Sequence, residues 1–360
     1  MTCRIHLTTS LLSTLAITAT AQRPDSLAGE VRQTFREVRA VHELPDGRTL
    51  VLDSHERFVY LADFRTGDVL VIGEHGMADR QYLWPSRLLH RADDTTLVWD
   101  AIEGRIHVLD WVGGEPAIRR SIHRSAFSPT DQSWLSPVAS DRQGRMYSEV
   151  KIGVGGSALV RWIPGAERVD TLFRFRRANL RGVFPAWDQW TVSSTGVVAY
   201  VHVSPYRIDL RGPGANVVAG TPIAFDPKPV TADIQKAWLE ALRQPQIMWS
   251  RRGREPPKFS EISGSGVDYT GPWPVATPAI VARKPLMQFT SEGSLLIERA
   301  AVPALPSEYD VIDEQARLKD RFELPAGTRI VATGRGVVYV TVRGPDSRLK
   351  LQRFTVRGPR

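Results

Sequence analysis

"IGEHGMADRQYLWPSRLLHRADDTTLVWDAIEGRIHVLD" runs from Ile72 to Asp110 and poses a choice between two folds. Gly73 and Gly76 hint at a dinucleotide-binding loop. That loop needs a strand before it and a helix opening straight after it, and no i, i+3, i+4 apolar pattern follows Gly76. Short runs rich in Leu, Val and Trp follow instead, separated by turn residues. The stretch therefore reads as one antiparallel unit. Arg87–Arg91 is its inner strand, Thr95–Asp100 the second and Arg105–Asp110 the third, with Ile118–His123 outermost.

The same turn followed by a β-rich run recurs along the chain. It appears as "LPDGRTLVLD" (44–53), "RADDTTLVWD" (91–100), "SDRQGRMYSEV" (140–150), "VSSTGVVAYVHV" (192–203), "FTSEGSLLIER" (289–299) and "ATGRGVVYVTV" (332–342). The turn positions Gly47, Asp94, Gly144, Gly196, Gly293 and Gly336 are spaced by 47, 50, 52, 97 and 43 residues. Four intervals match a four-stranded propeller blade, and the fifth is about twice that length. The long interval holds the one helical pattern, "TADIQKAWLEALRQPQ". Thr231 can cap it, Ile234, Trp238 and Leu242 form its apolar stripe, and Pro245 stops it. The spacing predicts an all-β, six-bladed β-propeller with four-stranded blades. One helical insertion, residues 227–270, is expected between blades four and five. Seven blades is the alternative.

Within the opening stretch, Gly73, Gly76, Tyr82, Pro85, Trp99-Asp100 and Arg105-Ile106 stand in the order of an NHL-type repeat. The chain thus resembles NHL-repeat and related bacterial exported (TolB-like) six-bladed propellers. The resemblance is clear over blades one and two, about a quarter of the chain. Met77–Gln81 replaces the usual Gly-Pro-Gly-Glu segment, and Glu103 the usual Asn.

Blade six shows three strands, 328–333, 337–343 and 348–355, before the chain ends. The segment "EVRQTF" (30–35) precedes blade one and is expected to complete blade six, covering an open edge. Before it lie Arg4, a diluted apolar run from Leu7 to Ile17, and Ala19-Thr20-Ala21. This is the pattern of a cleavable signal peptide, residues 1–21, with the mature chain beginning at Gln22 as a single domain, 22–360. A periplasmic or secreted location follows. The only cysteine, Cys3, lies ahead of the apolar run, so neither a disulfide framework nor a lipid anchor is expected.

Without the leader the chain has 46 basic against 39 acidic residues. In an exported protein a basic balance suits an anionic small molecule, a glycan or an envelope protein as partner more than nucleic acid. A monomer without a stable membrane anchor is expected.

No linear motif of zinc, serine-hydrolase, P-loop or EF-hand chemistry is present. The histidines are dispersed, so no metal set and no cofactor are expected from them. Asp93-Asp94 and "KIGVGGSALV" (151–160) read as turn and hairpin tip. The chain segments that enter each blade remain: "LWPSR" (83–87), "SWLSP" (133–137), "FPAWDQW" (184–190), "WPVATPAIVAR" (273–283) and "PAGTR" (325–329). In a propeller these gather at one mouth of the channel. Trp84, Trp134, Trp187 and Trp273 recur there, with Arg39, Arg87, Arg283 and Arg329. Trp84, Trp134, Trp187, Arg39, Arg87, Arg283 and Arg329 are the candidate ligand-binding residues. Aromatic faces can stack a ring, and guanidinium groups can pair with a carboxylate or phosphate. The expected function is an exported binding or interaction protein. The alternative is a hydrolase, lactonase or lyase with a channel metal, for which Asp188, Asp268 and Glu261 are the acids to test.

Overall fold

The computed structural model describes residues 23–356 except 79, 91–94, 113, 124–134, 154–155, 167, 177–183, 185, 244–245, 251–257, 263–271, 281–285 and 300–304. Six antiparallel four-stranded sheets are arranged around an axis. Blades one to five run inner to outer in chain order, starting with Val38–Glu43, Pro85–His90, Ala139–Ser140, Gln189–Val192 and Met287–Phe289. Blade six starts with Thr328–Gly334, continues through Val337–Arg343 and Leu349–Val356, and takes Pro24–Phe35 as its outer strand. The closure expected from sequence is therefore present, with Glu30 opposite Gln352 and Phe35 opposite Leu349. Gly29 lets this strand lie against blade one, since a Cβ there would fall 2.5 Å from the Phe64 carbonyl oxygen.

The recurring turn has one geometry in blades one, three, four and five. In blade one the Leu44 amide donates to the Arg48 carbonyl and the Gly47 amide to the Leu44 carbonyl. Matching pairs join Asp141 with Arg145 and Gly144, Ser193 with Val197 and Gly196, and Thr290 with Ser294 and Gly293. Each turn ends on a glycine at positive φ, between 73° and 86°, where a side chain would be strained. Asp94, the corresponding position of blade two, lies outside the described residues.

The second strands are apolar on both faces because each face fills a different junction. In blade one, Leu50 and Leu52 pack with Tyr82, Val98 and Leu109 of blade two. Val51, between them, packs with Phe35 and Tyr339 of blade six. The same division recurs at Leu97 and Trp99 against Val98, and at Leu295 and Ile297 against Leu296. Among the described residues the core thus falls into six wedges, one per junction. Burial of these runs at about 25 cal/mol per Å² is what holds the ring together.

Between blades four and five come the helix Ala232–Arg243 and the hairpin Gln246–Ser250/Lys258–Ile262. A short antiparallel stem, closed by Val230 N–H to Val275 O and Thr277 N–H to Lys228 O, brackets them. The Thr231 hydroxyl accepts from the Ile234 amide at the helix start. Ile234 and Trp238 bury against Phe184 and Trp273, so the helix rests on the chain segments entering blades four and five.

Candidate functional site

The inner strands pack side by side around the axis, and blade six meets blade one to complete the circle. Their starts lie at one mouth, together with the ends of the second strands. Two buried carboxylates organise that mouth. Asp53, ending the second strand of blade one, accepts amides from Arg36, Glu37, His55 and Glu56 at 2.8–3.3 Å. Asp100 does the same in blade two for Leu83, Trp84, Ile102 and Glu103 at 2.5–3.1 Å. Burial raises the Asp53 pKa despite its four amides. For Asp100 burial also pushes upward, but His107 and the amides outweigh it and the net shift is down. The aspartate of the "VLD" and "VWD" runs therefore pins the segment that enters its blade. In blade five Glu298 takes this place and accepts the Leu286 amide at 2.9 Å.

Blade four reverses the arrangement. His202 stands where Asp53 and Asp100 stand, and the acid, Asp188, lies in the entering segment. Asp188 accepts the Tyr200 hydroxyl at 2.9 Å and the Val203 amide at 3.0 Å. His202 Nε2 lies 2.7 Å from Asp209 and 3.3 Å from Arg207 Nη2, and Nδ1 lies 3.7 Å from Asp188. Asp188 is thus tied into a polar cluster with Tyr200, His202 and Asp209.

The candidate residues meet different fates. Trp134 and Arg283 lie outside the described residues. Trp84 and Trp187 are half-buried in the segments entering blades two and four. Trp273 is half-buried in the aromatic group beneath the helix. Arg329 forms a double contact with the buried Glu298, Nε to Oε1 at 2.8 Å and Nη2 to Oε2 at 2.6 Å. Burial works to lower the Arg329 pKa, but the Glu298 charge and hydrogen bonds more than offset it.

Arg39 and Arg87 are different. The ladder between the first two strands of blade one skips from Val38–Asp53 to Ala40–Leu52, leaving Arg39 as the extra residue of a bulge. Blade two has its bulge at the same level, from Pro85–Asp100 to Arg87–Trp99. Bulges re-aim side chains and are common beside binding sites. The two inner strands are neighbours, and the charges of Arg39 and Arg87 act on each other. Burial lowers the Arg87 pKa to about 10, with the Arg39 charge adding to the shift. Arg39 is exposed, and Arg87 is partly water-accessible. Among the described residues neither guanidinium has a carboxylate partner. Sequence reasoning named all three arginines as candidates, and only the structure separates Arg39 and Arg87 from the paired Arg329.

A channel metal finds no support among the described residues, where no group of three or more His, Cys, Asp or Glu is placed to hold one. Asp268 and the Glu261 side chain lie outside the description.

No family model and no curated protein sequence matches the chain. Solved structures do. A Bacteroides fragilis protein designated as exported aligns with a TM-score of 0.51 at 9% identity, covering 95% of this chain and 98% of that one. A gluconolactonase from Xanthomonas campestris aligns with a TM-score of 0.45 at 9% identity, covering 94% and 97%. Regucalcin, a calcium-binding protein from Agrobacterium tumefaciens, aligns with a TM-score of 0.42 at 13% identity, covering 92% and 95%. The likeness is one of fold. This is a six-bladed β-propeller.

Proposed function

We propose that this propeller is an exported binding protein that takes an anionic small molecule at the channel mouth, with Arg39 and Arg87 supplying the charge. The carrying observation is the contrast among the mouth arginines. Arg329 is neutralised by a buried glutamate, whereas Arg39 and Arg87, on adjacent inner strands, act on each other's charge and have no carboxylate partner among the described residues. Two like charges held together and partly desolvated cost stability unless something neutralises them. A bound anion would do so, and half-buried Trp84 in the adjoining segment can lend an aromatic surface. Export is supported by the leader-like residues 1–21.

Thermal shift against a panel of small anions tests the reading. At least one anion should raise the wild-type melting temperature, since a ligand at a hundred times its Kd contributes about 2.7 kcal/mol. Arg87→Gln should lose that response while remaining folded. An equal response in wild type and Arg87→Gln refutes the assignment.

A further inference from the structure

Resting on that reading and going beyond it, we propose that the charged group of the ligand is a tetrahedral dianion of the phosphate monoester class, not a single carboxylate. Arg39 and Arg87 stand one register step apart near the starts of adjacent, contacting inner strands, close enough for the Arg39 charge to act on Arg87. Arg39 occupies the gap in the blade-one ladder, and Arg87 comes one residue after the corresponding gap in blade two. Each guanidinium presents a rigid fork of donors. A carboxylate has two oxygens, which satisfy one fork and neutralise one charge. The second guanidinium would be left uncompensated beside the first. A phosphoryl group offers three terminal oxygens and close to two negative charges, so one group accepts both forks.

Among the described residues no carboxylate pairs with either arginine; Glu37, near Arg39 in the chain, acts on Arg329. Asp53 and Asp100 are engaged by backbone amides, Glu298 is neutralised by Arg329, and Glu56 pairs with Arg36 at 3.3 Å. The two guanidinium groups are thus the charges left for a ligand to pair with, and a dianion pairs with both.

Titration calorimetry with inorganic phosphate, glycerol phosphate and acetate, at constant ionic strength, tests this. At about pH 8 phosphate or its ester should bind at least about tenfold more tightly than acetate. Binding should weaken by about tenfold near pH 5, where the phosphoryl group holds one more proton and both arginines remain charged. Tighter binding of the ester identifies an esterified ligand, and tighter binding of inorganic phosphate identifies the free ion. Arg39→Gln and Arg87→Gln should each bring phosphate down to the level of acetate. Arg87→Lys keeps the charge, loses the fork and should bind phosphate between the two, which guards against a glutamine variant that fails to fold. If acetate matches phosphate and Arg87→Gln abolishes both, the dianion is wrong and the anion site stands. If wild type binds none of the three, or the arginine variants bind phosphate undiminished, both fall.

Discussion

Replacing Phe35 by alanine tests whether the N-terminal strand is a working part of the ring. Phe35 ends that strand at 1% exposure, with its ring 5.5 Å from Tyr60 in an edge-on contact. It lies in the wedge between blades six and one, with Val31, Val51, Tyr339 and Leu351 as neighbours. Truncation removes a buried ring and leaves a cavity that rigid sheets on both sides cannot close. A cost of about 3–5 kcal/mol follows. An unfolding entropy of about 2.1 cal/mol/K per residue over roughly 330 residues amounts to about 0.7 kcal/mol/K, so about 4 kcal/mol lowers Tm by about 6 °C. Leu27 lies on the same strand at 54% exposure, and Leu27→Ala should shift Tm by less than about 1 °C. Calorimetry and urea unfolding of both variants provide the measurement. A Phe35→Ala protein as stable as Leu27→Ala would show that the closing strand adds no packing, and the closure argument would fail.

The mouth arginines should differ in stability as they do in pairing. Arg329→Gln leaves Glu298 buried without its counter-ion and should cost about 2–3 kcal/mol, less than a fully enclosed pair because Arg329 is partly open to water. Arg87→Gln removes a charge that no described residue compensates, and urea unfolding should show no loss and a gain of up to about 1 kcal/mol; equal losses in the two variants would contradict the distinction. Burial raises the Tyr82 phenol to about 12, and its hydroxyl donates to the Ile72 carbonyl at 2.6 Å. Because the folded pKa lies above the unfolded value near 10, the stability is fully present below about pH 10. About 2–3 kcal/mol of it is lost as pH rises toward about 12. Ultraviolet titration of wild type and Tyr82→Phe checks this, and a Tyr82 phenol ionising near 10 in the folded protein would overturn it.

The parts legible in the sequence share a local cause. Gly47, Gly144, Gly196 and Gly293 mark turns whose backbone needs positive φ, and the runs after them are apolar on both faces. Those two signals show where each blade begins. The turns between third and fourth strands in blades four and five, and between second and third in blade six, carry a weaker mark. At 212–216, 313–317 and 344–348 they repeat the same hydrogen-bond pattern, yet Ala215, Ala316 and Ser347 hold the positive-φ position. No glycine stands at that position, although Gly212, Gly214 and Gly344 lie in the same turns, because the cost of a left-handed alanine or serine is small enough for the packed blade to absorb.

The sequence by itself determined a propeller of four-stranded blades, favoured six of them over seven, and pointed to the strand that closes the ring; the six sheets of the structure decided the number. The blades and the closing strand depend on turn chemistry and alternation within a few residues, and on the edge that a blade of three strands would leave open. Only the tertiary structure decided what each arginine does. Arg329 and Glu298 are 31 positions apart in the chain and 2.6 Å apart in space. Arg39 and Arg87 stand one register step apart on neighbouring inner strands, both of which bulge at the mouth. A guanidinium carries no local mark of its partner. Its charge is either cancelled or left available by a side chain from another strand or blade, and that choice is made only when the ring closes.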